Sequence, residues 1–144
     1  MTYFADLTPY SYMRALPPGT EGDPELSTEG LNVGWLEPGH SYPTGEVPDA
    51  AVAGVLRRVI SHRVNVMRGW HDCGLCPWPE NSDPAVYPEP TEMEVDGTAV
   101  FLGHCEIRVR DEAGVLYAAP SLVAHYMGEH HYLPPAGFLE AVTP

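Results

Sequence analysis

A chain of 144 residues with 44% hydrophobic residues has the size and composition of one domain, and no apolar run approaches the roughly 20 residues that span a bilayer, which excludes a membrane protein. Acidic residues number 20 and basic ones 7, all of them arginine; the formal charge of −13 repels nucleic-acid backbones overall. The 16 prolines and 14 glycines exclude an all-helical bundle and cut the chain into short pieces.

The start, Met1-Thr2-Tyr3-Phe4-Ala5-Asp6, has neither a basic n-region nor an apolar h-region, so the expected compartment is the cytoplasm, where thiols stay reduced. Tyr3, Phe4, Tyr10 and Tyr12 are aromatics at close spacing, read as core packing rather than as a base-stacking platform in so acidic a chain. Residues 17–30 read as a loop. Residues 31–36, with Val33 and Trp35, read as a short strand stopped by Glu37-Pro38-Gly39. The clearest helix covers 48–61, where Val52, Val55, Leu56, Val59 and Ile60 form one apolar stripe; Pro48 suits the first turn and Asp49 complements the dipole. Arg57, Arg58, Arg63 and Arg68 read as an exposed face that pairs with the acidic excess. A short strand at 64–68 leads into Cys73-Gly74-Leu75-Cys76, and 77–92 reads as an irregular acidic loop.

Residues 93–102 predict a hairpin, because Asp96-Gly97 accepts the positive φ values of a type I′ turn. A strand at 104–110 should place Cys105, Ile107 and Val109 on one face, in line with Phe101 and Gly103, and His104, Glu106, Arg108 and Arg110 on the other, with Leu102. Asp111 to Gly114 turns the chain into 115–118, giving an antiparallel β-meander. A second helix is expected from 120 or 121 to 130, and a terminal one over 135–142. The fold class is therefore α+β, one domain over 1–144.

The cysteine count of 3, with two in C-x-x-C spacing, fits metal binding better than a disulfide framework. Zinc takes soft or borderline ligands at tetrahedral corners, and two cysteines two residues apart present both sulfurs from one tight turn, here eased by Gly74. His125 and His130 match the H-x(3–5)-H spacing, although a regular helix would set them about 140° apart, so the helix end must distort for both to converge. The expected structural zinc site is therefore Cys73, Cys76, His125 and His130, with His131 or His71 as substitutes and Cys105 left in the core as a small hydrophobe. The competing reading makes the cysteines small buried residues and the histidines a surface cluster. A catalytic metal would leave a position open for water, with Glu129 a nearby base, but His125-Tyr126-Met127-Gly128-Glu129-His130 is one residue longer than H-x-x-E-H, and paired cysteines favour a closed site. The deaminase order of H-x-E before P-C-x-x-C is absent. No G-x-G-x-x-G, G-x-x-x-x-G-K-[ST] or G-x-S-x-G occurs, and no catalytic or cofactor-binding residue is assigned. Trp35, Trp70 and Trp78 read as core or as cover for the metal site.

Gly34-Trp35-Leu36-Glu37-Pro38-Gly39-His40 with Thr44-Gly45, Arg68-Gly69-Trp70-His71-Asp72-Cys73-Gly74-Leu75-Cys76, Glu106-Ile107-Arg108-Val109 with Tyr117-Ala118-Ala119-Pro120, and His125-Tyr126, His130 and Tyr132-Leu133-Pro134-Pro135 resemble an uncharacterised family of small bacterial proteins. The resemblance runs from Tyr3 to Val142. It implies the same four ligands, favours His130 over His131, and makes Cys105 an individual variation. It supplies no activity. The function expected is a non-enzymatic, zinc-stabilised interaction domain for a regulatory or immunity-like protein partner, with a basic partner suiting the acidic surface. The alternative is a small zinc hydrolase using Glu129, Glu106 or His71. Nucleic-acid binding through the arginine cluster stands third.

Overall fold

The longest apolar stripe of the sequence becomes the longest helix of the structure, and the sheet and both later helices are laid against it. A computed structural model of the chain describes residues 2–13, 27–77, 83, 85 and 89–144. Most of the loop expected at 17–30, much of that expected at 77–92, and Trp78 lie outside the described residues. In chain order the elements are β1 (Leu31–Asn32), α1 (Asp49–Ser61), β2 (Arg63–Val64), β3 (Glu92–Val95), β4 (Thr98–Phe101), β5 (Glu106–Arg110), β6 (Leu116–Pro120), α2 (Val123–Glu129) and α3 (Ala136–Val142). Strands and helices together make an α+β fold.

Extended Pro48 precedes α1 and Asp49 opens its first turn. Ala51, Val55, Leu56 and Val59 are buried, whereas Ile60, counted in the apolar stripe, is 49% exposed. The buried face thus includes Ala51 in place of Ile60, and both α2 and α3 contact α1.

Four strands form one sheet in the order β1-β6-β5-β2, with β5 antiparallel to both β6 and β2, and β1 parallel to β6. The hairpin β3–β4 turns through Asp96 (φ 51°) and Gly97 (φ 77°), as the residues require for a type I′ turn, but forms its own two-stranded sheet. The expected single meander is therefore divided. The chain bends at Gly103 (φ 96°), so alternation does not carry across it: Phe101 is exposed and Leu102 buried, the reverse of the expected parity, while Cys105, Ile107 and Val109 are buried as expected. The two short strands end early for similar reasons. Gly34 (φ 73°) interrupts 31–36, and Asn65 (φ 51°) turns the chain just past β2.

The outward face of β5 is covered at Glu106 and partly at Arg108, while Arg110 stays exposed. Glu106 is 1% exposed beneath Tyr10, whose hydroxyl donates to Glu106 Oε2 at 2.9 Å; Arg108 donates to Oε1 at 3.0 Å, with its guanidinium 4.4 Å from the centre of the Tyr10 ring. Asn65 Nδ2 donates to the Tyr10 hydroxyl at 3.3 Å and to the Ser27 carbonyl at 2.8 Å. Alternation alone assigns such residues to solvent; only the return of the N-terminal segment over the sheet covers them. Of the N-terminal aromatics, Tyr10 is fully buried, Phe4 and Tyr12 pack on Trp35, and Tyr3 stacks on His40 at 3.8 Å.

Burial raises the Glu106 carboxyl above its ordinary value, against the opposing pull of Arg108 and Tyr10. The folded state therefore holds this proton more tightly than the unfolded chain, and the group's contribution to stability, present at low pH, is lost as pH rises through the folded value. Glu106→Gln is expected to remove that part of the decline in urea-denaturation stability from pH 4 upward, leaving that of Asp6, which burial also raises. An unchanged pH slope would show that Glu106 is not the titrating group.

Candidate metal centre

The cysteine knuckle is docked before it turns. Met67 N–H donates to the His104 carbonyl at 2.7 Å and His71 N–H to the Gly103 carbonyl at 2.8 Å, which lays the approach to Cys73 alongside the segment between β4 and β5. Gly103 N–H in turn donates to Ser121 Oγ at 2.8 Å, just ahead of α2. A Cβ on Gly103 would lie 2.3 Å from the His71 carbonyl oxygen, so only glycine permits this approach. One residue thus ties the cysteine arm to the histidine arm. Cys76 N–H reaches the Cys73 carbonyl at 3.3 Å to close the knuckle turn.

His125 lies within α2, and His130 is the first residue beyond it, with φ −110° and ψ 8°. His131 then takes a left-handed conformation (φ 53°), and the Tyr126 carbonyl accepts the N–H groups of both His130 and Tyr132 at 3.1 Å. His130 itself departs from helical φ while its N–H keeps the regular bond to the Tyr126 carbonyl; the left-handed turn comes after both histidines of the pair and directs His131 out to solvent.

The four side chains meet. One ligand atom from each of Cys73, Cys76, His125 and His130 lies within 4.8 Å of all the others, and this is the one group of that kind among the described residues. Cys73 Sγ is 3.2 Å from His130 Nε2, and Cys76 Sγ is 3.2 Å from His125 Nε2 and 3.4 Å from His130 Nε2. Metal–sulfur and metal–nitrogen bonds of about 2.3 and 2.05 Å at tetrahedral angles imply S···N edges of about 3.6 Å, so these separations are close to the size of a four-ligand shell. Both imidazoles present the same nitrogen, Nε2, to the sulfurs.

Cys73 and His125 are 7% and 8% exposed. Burial pushes the Cys73 thiol up to about 11 and lowers the His125 imidazole below its ordinary value, His130 adding to the effect. Without an ion, both groups are thereby held neutral. Tyr126 packs beneath, its hydroxyl raised by burial and by the two cysteines.

The sequence alternatives separate cleanly. His131 is exposed on the far side of the turn, and His71, half-buried, approaches Tyr12 Oη at 3.5 Å instead of joining the group. Cys105 is buried in the core, away from the other thiols, with its thiol raised by burial. Glu129 stands exposed at the end of α2 and does not join the group either. Glu106 and His71 line a common cavity with Tyr12 and Trp35, but its volume of about 10 Å³ is that of one water. Trp35 is core, its indole N–H donating to the Ala118 carbonyl at 3.0 Å; Trp70 is 44% exposed and covers neither core nor cluster. Gly103 and Ser121, which join the two arms, carried no recognisable signal in the sequence, because their role depends on contacts between distant segments.

The fold and the cluster define a small α+β domain built around a Cys2His2 group that can hold a metal ion. The chain belongs to the family described as Domain of unknown function (DUF7919), which it matches over residues 2–143. Nothing among the curated proteins or the solved structures matches it. No helix among the described residues is long and apolar enough to cross a membrane.

His130→Ala is expected to release bound metal or lower its affinity sharply, whereas His131→Ala leaves metal content unchanged by elemental analysis. Cys105→Ala should keep its metal and cost at most about 1–2 kcal/mol in denaturation. Metal loss in that variant would show that the core position of Cys105 has been misread. Because the ion must displace the Cys73 proton, apparent affinity should rise by about tenfold per pH unit for that proton below pH 9. Chelator competition measures this, and a flat profile would mean that the thiol is not a ligand.

Proposed function

We propose that this chain is a zinc-stabilised, non-enzymatic interaction domain of the cytoplasm that recognises another protein in a regulatory or immunity-like role. The observation that carries the reading is the closed donor set. Two thiols and two imidazoles form the S2N2 combination that suits zinc, and four protein ligands leave no vacancy for a reacting water. Zinc bound this way is part of the fold: it joins a knuckle at residue 73 to a helix end at residue 130, and its binding free energy becomes folding free energy. The charge of −13 supports a basic protein partner drawn in by electrostatic steering. The same charge disfavours nucleic acid as the partner, and Arg57 of the arginine cluster is paired to Asp96 at 2.7 Å. The hydrolase reading lacks a substrate-sized space where Glu106 and His71 meet.

Purified protein should carry about one equivalent of zinc, and the cobalt-substituted form should show a tetrahedral spectrum independent of pH between about 6 and 9. Zinc-loaded protein should also retain a stoichiometric protein partner from host cells, released by salt, that the metal-stripped chain does not retain. A cobalt spectrum titrating near neutral pH would reveal a bound water and put the hydrolase in place of this reading.

A further inference from the structure

Besides the metal centre, the surface has a second distinctive place on the same knuckle segment. The hydrogen bonds from Met67 to His104 and from His71 to Gly103 hold both ends of a short bulge, Arg68-Gly69-Trp70, against the chain leaving β4. Between them lies a cleft of about 200 Å³ lined by Met67, Arg68, Trp70, Phe101 and His104, among others. Trp70 is 44% and Phe101 53% exposed, so two large aromatic side chains remain half open in one concavity.

Its chemistry departs from the rest of the molecule. The chain has 20 acidic residues, yet no carboxylate is among the described residues lining the cleft. Arg68 has no carboxylate within 4.0 Å among the described residues. Arg63 is near enough for its charge to depress the His104 imidazole, second to the effect of burial. Met, Arg, Trp and Phe are the residues enriched at the centre of protein interfaces, and acidic residues are depleted there. Pockets for small molecules and cofactors run to about 300–1,000 Å³, so this cleft is below that range and is closer to the size of one large side chain.

We propose that this cleft is the anchor pocket of a protein-docking surface, taking one aromatic or large aliphatic side chain of a partner segment whose adjacent carboxylate pairs with Arg68. The inference rests on the interaction-domain reading and deepens it, since it names the face and the chemistry of the segment seated there. A partner that is basic overall suits the net charge of −13, while its anchor segment carries the local negative charge that Arg68 pairs with. Trp70 is three residues from Cys73, so an ion that holds the knuckle also holds one wall of the cleft in its receiving position, which lowers the cost of ordering on binding.

The test uses isotope-labelled, zinc-loaded full chain and two capped synthetic peptides, Gly-Glu-Phe-Glu-Gly and Gly-Lys-Phe-Lys-Gly, followed by NMR. The Trp70 indole N–H is assigned by its loss in Trp70→Phe. The glutamate peptide should shift that resonance and the amides of residues 101–104, with a dissociation constant of about 1 mM or tighter, and the lysine peptide should bind at least about tenfold more weakly. Arg68→Glu should reverse the preference, and Phe101→Ala, on β4 away from the knuckle, should weaken both peptides while retaining zinc. No shift at Trp70 up to about 10 mM peptide, equal response to both peptides, or an unchanged preference in Arg68→Glu overturns the proposal. A move of the Trp70 resonance in Trp78→Ala without peptide also overturns it, by showing that the chain itself occupies the cleft. Zinc content and partner retention are measured separately, so the anchor pocket can fail while the interaction reading stands, and the reverse.

Discussion

Four ligand atoms from two segments about fifty residues apart must occupy one small volume, and the surrounding fold is arranged to meet that condition. The cysteine arm is laid along the β4–β5 connection, the histidine arm follows β6 directly, and Gly103 bonds to both. The sheet order matters because β5 and β6 are neighbours, so the segment before β5 and the one after β6 emerge on the same side. Cys105 and Ser121, at these two ends, share a backbone hydrogen bond of 2.9 Å. Burial holds Cys73 protonated and His125 neutral in the absence of an ion, which makes the cluster a set of desolvated polar groups with only weak mutual hydrogen bonds. A bound cation resolves that situation.

A second polar centre, across the sheet, holds the N-terminal segment in place. Burying Glu106 and Arg108 together strips water from two charges, and such a pair is tolerable only when its remaining hydrogen-bonding capacity is used. Tyr10 supplies a donor to the carboxylate and a ring under the guanidinium, and Ser27 accepts from Arg108 through both its hydroxyl and its carbonyl. Losing one partner here would leave a buried charge uncompensated, so this network selects the N-terminal path more than it adds net stability. The Cys2His2 cluster and this network thus bring together chain regions that the short strands alone do not join.

The distribution of exposed groups bears on function more than the distribution of buried ones. Two cavities among the described residues adjoin the knuckle approach and differ in kind: the enclosed one beside Glu106 and His71 has room for a water, while the open one beside Trp70 and Phe101 is an order of magnitude larger.

Much of this was legible in residue order because it depends on neighbours in the chain. The α1 periodicity, the Asp96-Gly97 turn, the C-x-x-C knuckle and the H-x(3–5)-H pair follow from local geometry and ligand chemistry, and the family resemblance favours His130 over His131 as the fourth member of the cluster. What alternation could not supply was which faces would later be covered. Alternation points Glu106 and Arg108 outward because nothing local indicates that Tyr10 and Ser27 return over β5, and it points Phe101 inward because it carries the strand register straight through Gly103, where the chain bends. Trp70 was expected under cover for want of any local sign that the bulge before the knuckle faces solvent. The division of the meander, the parallel pairing of β1 with β6, and the linkage of both ligand arms through Gly103 were decided by tertiary structure alone, because each depends on contacts between segments whose separation along the chain says nothing of their separation in space.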